Sequence, residues 1–219
     1  MENSAVAMLF GMLDGLYVVG GAVRNRMLGL PSRDVDFATR TRPDEVEAAL
    51  KAGGIRTDAK GKRFGNVVAI INGERFEITT FRRDVYARGR YPVVEFVDAP
   101  REDSARRDFT MNALYMDADG NVLDFVGGIA DIKSRVVRFV GPAEKSVRDD
   151  PLRILRYFRF CGEYFHENFD DEALAACQEN IMATVSLSRT KAAEEMSKFR
   201  ASPGFRTVLR AAPYLEEFV

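Results

Sequence analysis

Asp34 and Asp36 stand two residues apart in Asp34-Val35-Asp36-Phe37-Ala38, a polar and apolar alternation that predicts a strand. Side chains two apart on a strand leave the same face, roughly 6 to 7 Å from each other. Carboxylates at that separation repel unless a divalent cation lies between them. Phosphoryl and nucleotidyl transfer hold Mg2+ in this way, one ion activating the attacking oxygen and one escorting the leaving pyrophosphate. Upstream, Gly20-Gly21 falls at a predicted strand-to-helix turn, and Arg24 follows one helical turn later. A glycine pair lets backbone approach a ligand closely, the N–H groups of a helix start attract an anion, and Arg24 adds a charged donor. A glycine turn followed closely by paired aspartates therefore combines a triphosphate cradle with a metal site.

The elements that must position these groups can be read from periodicity. A helix is expected from Ser4 to Leu13, a buried strand over Leu16 to Val19, and a second helix from Ala22 to Leu28, closed by Gly29 and Pro31. Thr41 to Glu45 supplies a cap, a proline in the first turn and acidic residues for a helix running to Ala52. Val67 to Ile71, Asn72-Gly73, and Arg75 to Phe81 predict a hairpin with a type I′ turn. Arg82 to Tyr91 holds four arginines with little apolar periodicity and is expected to be an exposed loop, followed by a strand over Val93 to Val97. Phe109 to Leu114 begins a helix or turn, and Tyr115-Met116 and Val122 to Phe125 flank a second hairpin turn. From Ala143 onward the spacing of Leu152, Leu155, Phe158 and Phe160 is helical. The fold class is therefore α+β, a small mixed or antiparallel sheet followed by an all-α part, with the boundary near Gly141-Pro142.

Composition narrows the chemistry. The 219 residues are 46% hydrophobic and 30% charged with a formal net charge of −1, an ordinary globular composition without low-complexity tracts. His166 is the single histidine. That excludes a multi-histidine zinc or iron site, and it leaves catalysis to carboxylates, arginines and backbone. Cys161 and Cys177 have no metal-ligand spacing and are expected to be core residues of a reducing compartment. The apolar stretch from Ala5 to Val23 is broken by glycines and Asp14, so no membrane segment is expected and the chain is assigned to the cytoplasm. The near-zero sum conceals an asymmetry: residues 1–159 carry a net +3 and the remainder −4, with 25 arginines to 7 lysines. Arginine's planar fork suits phosphates and base edges better than lysine's point charge.

Beyond the glycine pair and the aspartates, further motifs follow in order. They are Arg63-Phe64-Gly65, Phe76 to Arg82 with Glu77, Arg106 to Leu114, Asp124 to Gly128, and Arg148 to Arg156. Taken with Gly20 to Arg24 and Arg33 to Thr39, this series over residues 16 to 160 resembles the class II tRNA nucleotidyltransferases, the CCA-adding enzymes, and the related bacterial poly(A) polymerases. The resemblance implies a polymerase-β-like nucleotidyltransferase head over residues 1–140 and a helical neck over 141–219. It implies Mg2+ as cofactor, CTP and ATP as substrates, and the tRNA 3′ end as partner. Asp34 and Asp36 would be the metal ligands and Glu77 a third catalytic carboxylate, whose alternative reading is an exposed strand residue. Gly20, Gly21 and Arg24 would hold the triphosphate, and Arg107, Asp108 and Asn112 would handle ribose and phosphate.

Asp150, Arg153, Arg156 and Arg159 step by three, which on a helix forms an inclined polar stripe. Read plainly it is a solvated charge lattice; the resemblance makes the stripe nucleotide-binding, with Asp150 and Arg153 a template for the base. A carboxylate accepts from the exocyclic amine of C or A, a guanidinium donates to the adjacent ring acceptor, and U or G presents an oxygen that the carboxylate repels. Two departures stand out. Asp149-Asp150 replaces the family's usual Glu-Asp, and Thr190-Lys191 falls where members carry Glu-Arg. The family's helical body and tail are expected to be absent from these 219 residues. Addition limited to CC or A, poly(A) synthesis, and an idle nucleotide or RNA binder are the alternative functions, and the oligomeric state is open.

Overall fold

The computed structural model describes residues 4–32, 34–86 and 93–218. It divides by packing into two compact units, Met1–Arg107 with Asn112–Gly128, and Asp108–Met111 with Ile129–Val219.

The first unit is built in the order α1 (Ser4–Met12), β1 (Leu16–Val19), α2 (Gly21–Met27), β2 (Asp36–Thr39), α3 (Pro43–Ala52), β3 (Arg56–Asp58), β4 (Asn66–Ile71), β5 (Glu74–Thr80), β6 (Arg82–Tyr86), β7 (Val93–Phe96), α4 (Pro100–Ser104), β8 (Leu114–Met116) and β9 (Val122–Asp124). Seven strands form one sheet in the order β3-β4-β5-β2-β1-β8-β9, while β6 and β7 form a separate ribbon. Neighbours in the large sheet run antiparallel except β2 and β5, which pair in parallel through Phe37 and Ile78. A parallel pair needs a long crossover, here supplied by α3, β3 and β4. The β4–β5 turn is made by Asn72 at φ 53° and Gly73 at φ 85°, the two positive values that a type I′ turn requires. Val19, Ala38, Phe81, Val97 and Tyr115 pack together in a core that brings the ends of β1, β2 and β8 near the β6–β7 ribbon.

Two sequence expectations change here. Strand β2 begins at Asp36, so Asp34 lies in the irregular segment before it, not on the same strand. Arg82 to Tyr86 is strand β6, not loop: Arg82, Arg83 and Asp84 pair with Phe96, Glu95 and Val94. Arg83 finds a cross-strand partner in Glu95 at 2.9 Å, so charge alone does not preclude a strand. Residues 87–91 of the expected loop lie outside the described residues.

The second unit contains α5 (Gly128–Ser134), α6 (Ala143–Asp149), α7 (Leu152–Tyr164), α8 (Asp171–Asn180), α9 (Arg189–Arg200) and α10 (Phe205–Ala211), with no strand among its described residues. Helix α7 packs against α9 and α10, and α6 against α8. The Phe109 ring lies 4.9 Å from that of Phe139 and 5.3 Å from that of Phe160, and Phe139 stacks on Tyr157. These aromatic contacts draw residues 108–111 and 129–140 into the helical unit, so the packing division falls earlier than the residue-140 boundary read from periodicity. No helix among the described residues is long and apolar enough to cross a membrane. Cys161 and Cys177 are free and buried, as their spacing suggested.

Candidate active site

Strand β2 begins at an exposed Asp36, one step before the Phe37–Ile78 pair, and Glu77 stands one step before Ile78 on β5. In parallel pairing these two side chains share a face of the sheet. Desolvation raises the affinity of Asp36 for its proton, and the carboxylates of Glu77 and Asp34 raise it further, while Arg107 opposes them. Asp34, although off the strand, is thus electrostatically part of the same acidic site. Crowded oxygen donors that resist ionisation together are what a hard divalent cation relieves. Among the described residues no group of three acidic, histidine or cysteine side chains is already arranged around a common metal position. Glu77 is exposed and accepts from Asn66 Nδ2 at 3.2 Å.

Beside the acidic site, β1 is followed by Gly20, whose backbone lies at φ 70°, ψ −129°, a region closed to side chains. The Gly20 N–H donates to the Leu114 carbonyl at 3.2 Å, tying the turn to β8. Helix α2 is only seven residues long, so its dipole is a minor contributor and the arginines supply the charge. Arg24 is buried, and its Nη1 donates to Asn112 Oδ1 at 2.6 Å, with Nη2 facing Gly21. Arg107 Nη1 lies 3.7 Å from where a Cβ on Gly20 would stand. The fold therefore brings Gly20, Gly21, Arg24, Arg107 and Asn112 together, while Asp108 pairs with Arg156.

Arg107 is held by two groups that sequence reasoning missed. Its Nη2 donates to Asp103 Oδ2 at 3.0 Å and its Nε to the Tyr115 hydroxyl at 3.0 Å. Burial favours the protonated form of Asp103, but the guanidiniums of Arg106 and Arg107 and several hydrogen bonds outweigh it and hold the carboxyl below its usual range. Burial and the adjacent Asp103 push the Tyr115 phenol upward, so it serves as a neutral donor. The signal available in the sequence was spacing: Asp103 precedes Arg106 and Arg107 by three and four residues, the helical ion-pair separation.

In the helical unit the predicted stripe is broken. Asp150 lies between α6 and α7 in extended backbone, where its Oδ1 accepts the Leu152 N–H at 3.0 Å, because Pro151 restricts the residue before it to that region. Arg153 is on α7, its Nη1 donating to Ser146 Oγ at 2.7 Å. Arg156 Nε donates to Asp108 Oδ2 at 2.8 Å, so these two predicted nucleotide contacts satisfy one another. Arg159 is buried and bonded to Glu195 and Glu163 over the Phe160 ring, so it is no part of a solvated stripe. The tie between Arg159 on α7 and Glu195 on α9 supplies a carboxylate link between these helices, although Thr190-Lys191 lacks the family's pair.

A mixed sheet bearing carboxylates at the start of its parallel strand, next to a glycine turn and two arginines, defines a nucleotidyltransferase head. Residues 16–138 match the poly(A) polymerase head domain, and the chain belongs to that family. Membership implies use of a divalent cation. Among the relatives, the chain is 40% identical over 204 residues to the CCA-adding enzyme of Geobacillus stearothermophilus, covering 92% of this chain and 48% of that protein. It is 39% identical over 186 residues to the mitochondrial CCA tRNA nucleotidyltransferase 1 of Mus musculus, covering 84% and 43%. The chain thus spans about half the length of the curated relatives it matches. Among solved structures, the Bacillus stearothermophilus CCA-adding enzyme in complex with CTP superposes with a TM-score of 0.82 at 34% identity, over 98% of this chain and 52% of that one. A tRNA nucleotidyltransferase complexed with a primer tRNA and an incoming ATP analog gives 0.74 at 26% identity, over 98% and 61%.

Proposed function

We propose that the chain is the catalytic part of a CCA-adding enzyme, joining C and A from CTP and ATP to the 3′ end of tRNA with release of pyrophosphate. The observation that carries this reading is the acidic site of Asp36, Glu77 and Asp34 lying in electrostatic reach of Arg107, which faces the Gly20 turn. Asp34 and Asp36 would hold the cation, and their all-oxygen donor set suits Mg2+. When bound, that ion supplies charge stabilisation for the attacking and leaving oxygens. The residues do the rest. Glu77 would act as a third carboxylate toward the attacking 3′-hydroxyl; Gly20 and Gly21 would leave room for the triphosphate, and Arg24 and Arg107 would neutralise it, with Asn112 orienting Arg24. Asp150 and Arg153 select the base by accepting from the amine of C or A and donating to the ring acceptor next to it. Arg156, Asp108 and Arg159 serve by holding α7 in place through their ion pairs. The free buried thiols of Cys161 and Cys177 suit a reducing cytoplasmic setting.

Labelled CTP and ATP incorporation into tRNA transcripts ending before CCA, CA or A tests the reading. Completion of all three ends is expected. Addition of only C or only A, untemplated A tails, or no incorporation at all would each overturn it. Exchanging the residues at 150 and 153 is expected to change the C and A preference; an unchanged preference removes the base-reading role.

A further inference from the structure

Asp103 has no exposed surface and divides its two carboxylate oxygens between two parts of the head. Oδ1 accepts from the backbone N–H of Arg82 at 3.1 Å, where β6 starts, and from Arg106 Nε at 2.8 Å. Oδ2 accepts from the Tyr115 hydroxyl at 2.6 Å and from Arg107 Nη2 at 3.0 Å. Arg107 is thereby held along one edge, Nη2 on Asp103 and Nε on Tyr115, and its third nitrogen, Nη1, faces Gly20. A long arginine stem left to itself samples many rotamers, and ordering it on ligand binding costs affinity.

We propose that Asp103 is a positioning residue for nucleotide binding: it aims the Arg107 guanidinium at the Gly20 turn and links that aim to the start of the β6–β7 ribbon. This rests on the reading of Arg107 as a phosphate contact. Asp103 itself, fully buried, touches no substrate. Tyr115 completes the arrangement, accepting from Arg107 while donating to Asp103, so that one hydroxyl keeps the two charged groups in register. Arg106 takes the other carboxylate oxygen and leaves Oδ2 to Arg107 and Tyr115.

The test is a double-mutant cycle on CTP binding by the intact chain, measured by calorimetry, with thermal melting as the check on folding. Asp103→Asn keeps the shape and removes the charge; it is expected to weaken CTP binding about tenfold, the worth of one charge-assisted hydrogen bond. Arg107→Ala is expected to weaken it at least as much, and the double variant to bind no more weakly than Arg107→Ala alone, because Asp103 acts through Arg107. A merely structural role would instead let the two losses multiply, and that result, or Asp103→Asn binding CTP like the unaltered chain, overturns the proposal. If the unaltered chain binds no CTP, the functional reading fails, and this inference with it. Should Asp103→Asn not fold, Tyr115→Phe carries the same cycle with an expected loss of about threefold, the worth of a neutral hydrogen bond. Tyr115→Phe binding CTP like the unaltered chain then overturns the proposal.

Discussion

Replacing Asp36 by Asn should leave the fold intact and remove its response to divalent cations. Asp36 and Glu77 stand one step before a parallel register pair, so their Cα atoms are about one strand spacing apart, roughly 5 Å. Two unit charges at that distance repel by about 1 kcal/mol in a water-like dielectric, a lower bound here because Asp36 is partly desolvated. Because the folded chain holds the Asp36 proton more tightly than the unfolded chain, ionising it costs stability as pH rises. Asn is spared that cost, so without a cation Asp36→Asn should melt at or slightly above the unaltered chain. With a cation at ten times its dissociation constant, the unaltered chain gains about 1.4 kcal/mol, a shift of roughly 3 to 6 °C for a chain of this size. Asp36→Asn should gain little, and nucleotide incorporation should be lost. Differential scanning calorimetry with and without MgCl2 at neutral pH reads the stability effects, and labelled-nucleotide incorporation reads the loss of activity. Equal Mg2+ stabilisation of the variant and the unaltered chain would refute the assignment of Asp36 as a ligand.

In the helical unit, Glu195→Ala removes one of the two carboxylate partners of the buried Arg159, and breaking a buried ion pair this way costs about 3 kcal/mol, the low end because Glu163 still pairs with Arg159 at 3.0 Å. Urea unfolding should report a lower midpoint, and an unchanged midpoint would exclude the tie. Hydrogen bonds from Lys51 and Lys62 hold the Glu47 carboxyl down to about 2. Its stabilising contribution is therefore present above the ordinary glutamate pKa and is lost as pH falls toward about 2. Melting curves across that range should decline less steeply for Glu47→Gln than for the unaltered chain.

The local elements are largely legible in the amino-acid sequence. The Asn72-Gly73 hairpin follows from two residues that tolerate positive φ, and Gly20-Gly21 marks the turn where only glycine fits. Where periodicity misleads, the cause is either a partner distant in sequence or a neighbouring residue whose backbone constraint overrides the spacing. Four arginines between Arg82 and Tyr91 suggested a loop, yet Arg82 to Tyr86 pairs as a strand, because Glu95 on β7 offers a cross-strand partner that a local window does not contain. Regular spacing placed Asp150 on a helix with Arg153, whereas Pro151 forces the chain out of helical geometry there and the Asp150 carboxylate instead accepts the Leu152 N–H from outside the helix.

The sequence by itself determined the chemical inventory: paired aspartates, a glycine turn with Arg24, an arginine-rich head with one histidine, and the order of motifs that marks the family. Those depend on residue type and short spacing, which the covalent chain carries. Tertiary structure alone decided which groups meet. It set Glu77 beside Asp36 through a parallel pairing across some forty residues, and it consumed Arg156 and Arg159 in ion pairs with Asp108 and Glu195. It also turned Asp103 and Tyr115 into the support for Arg107. A buried charge must find its partner wherever the packed chain supplies one, and no local pattern records where that will be.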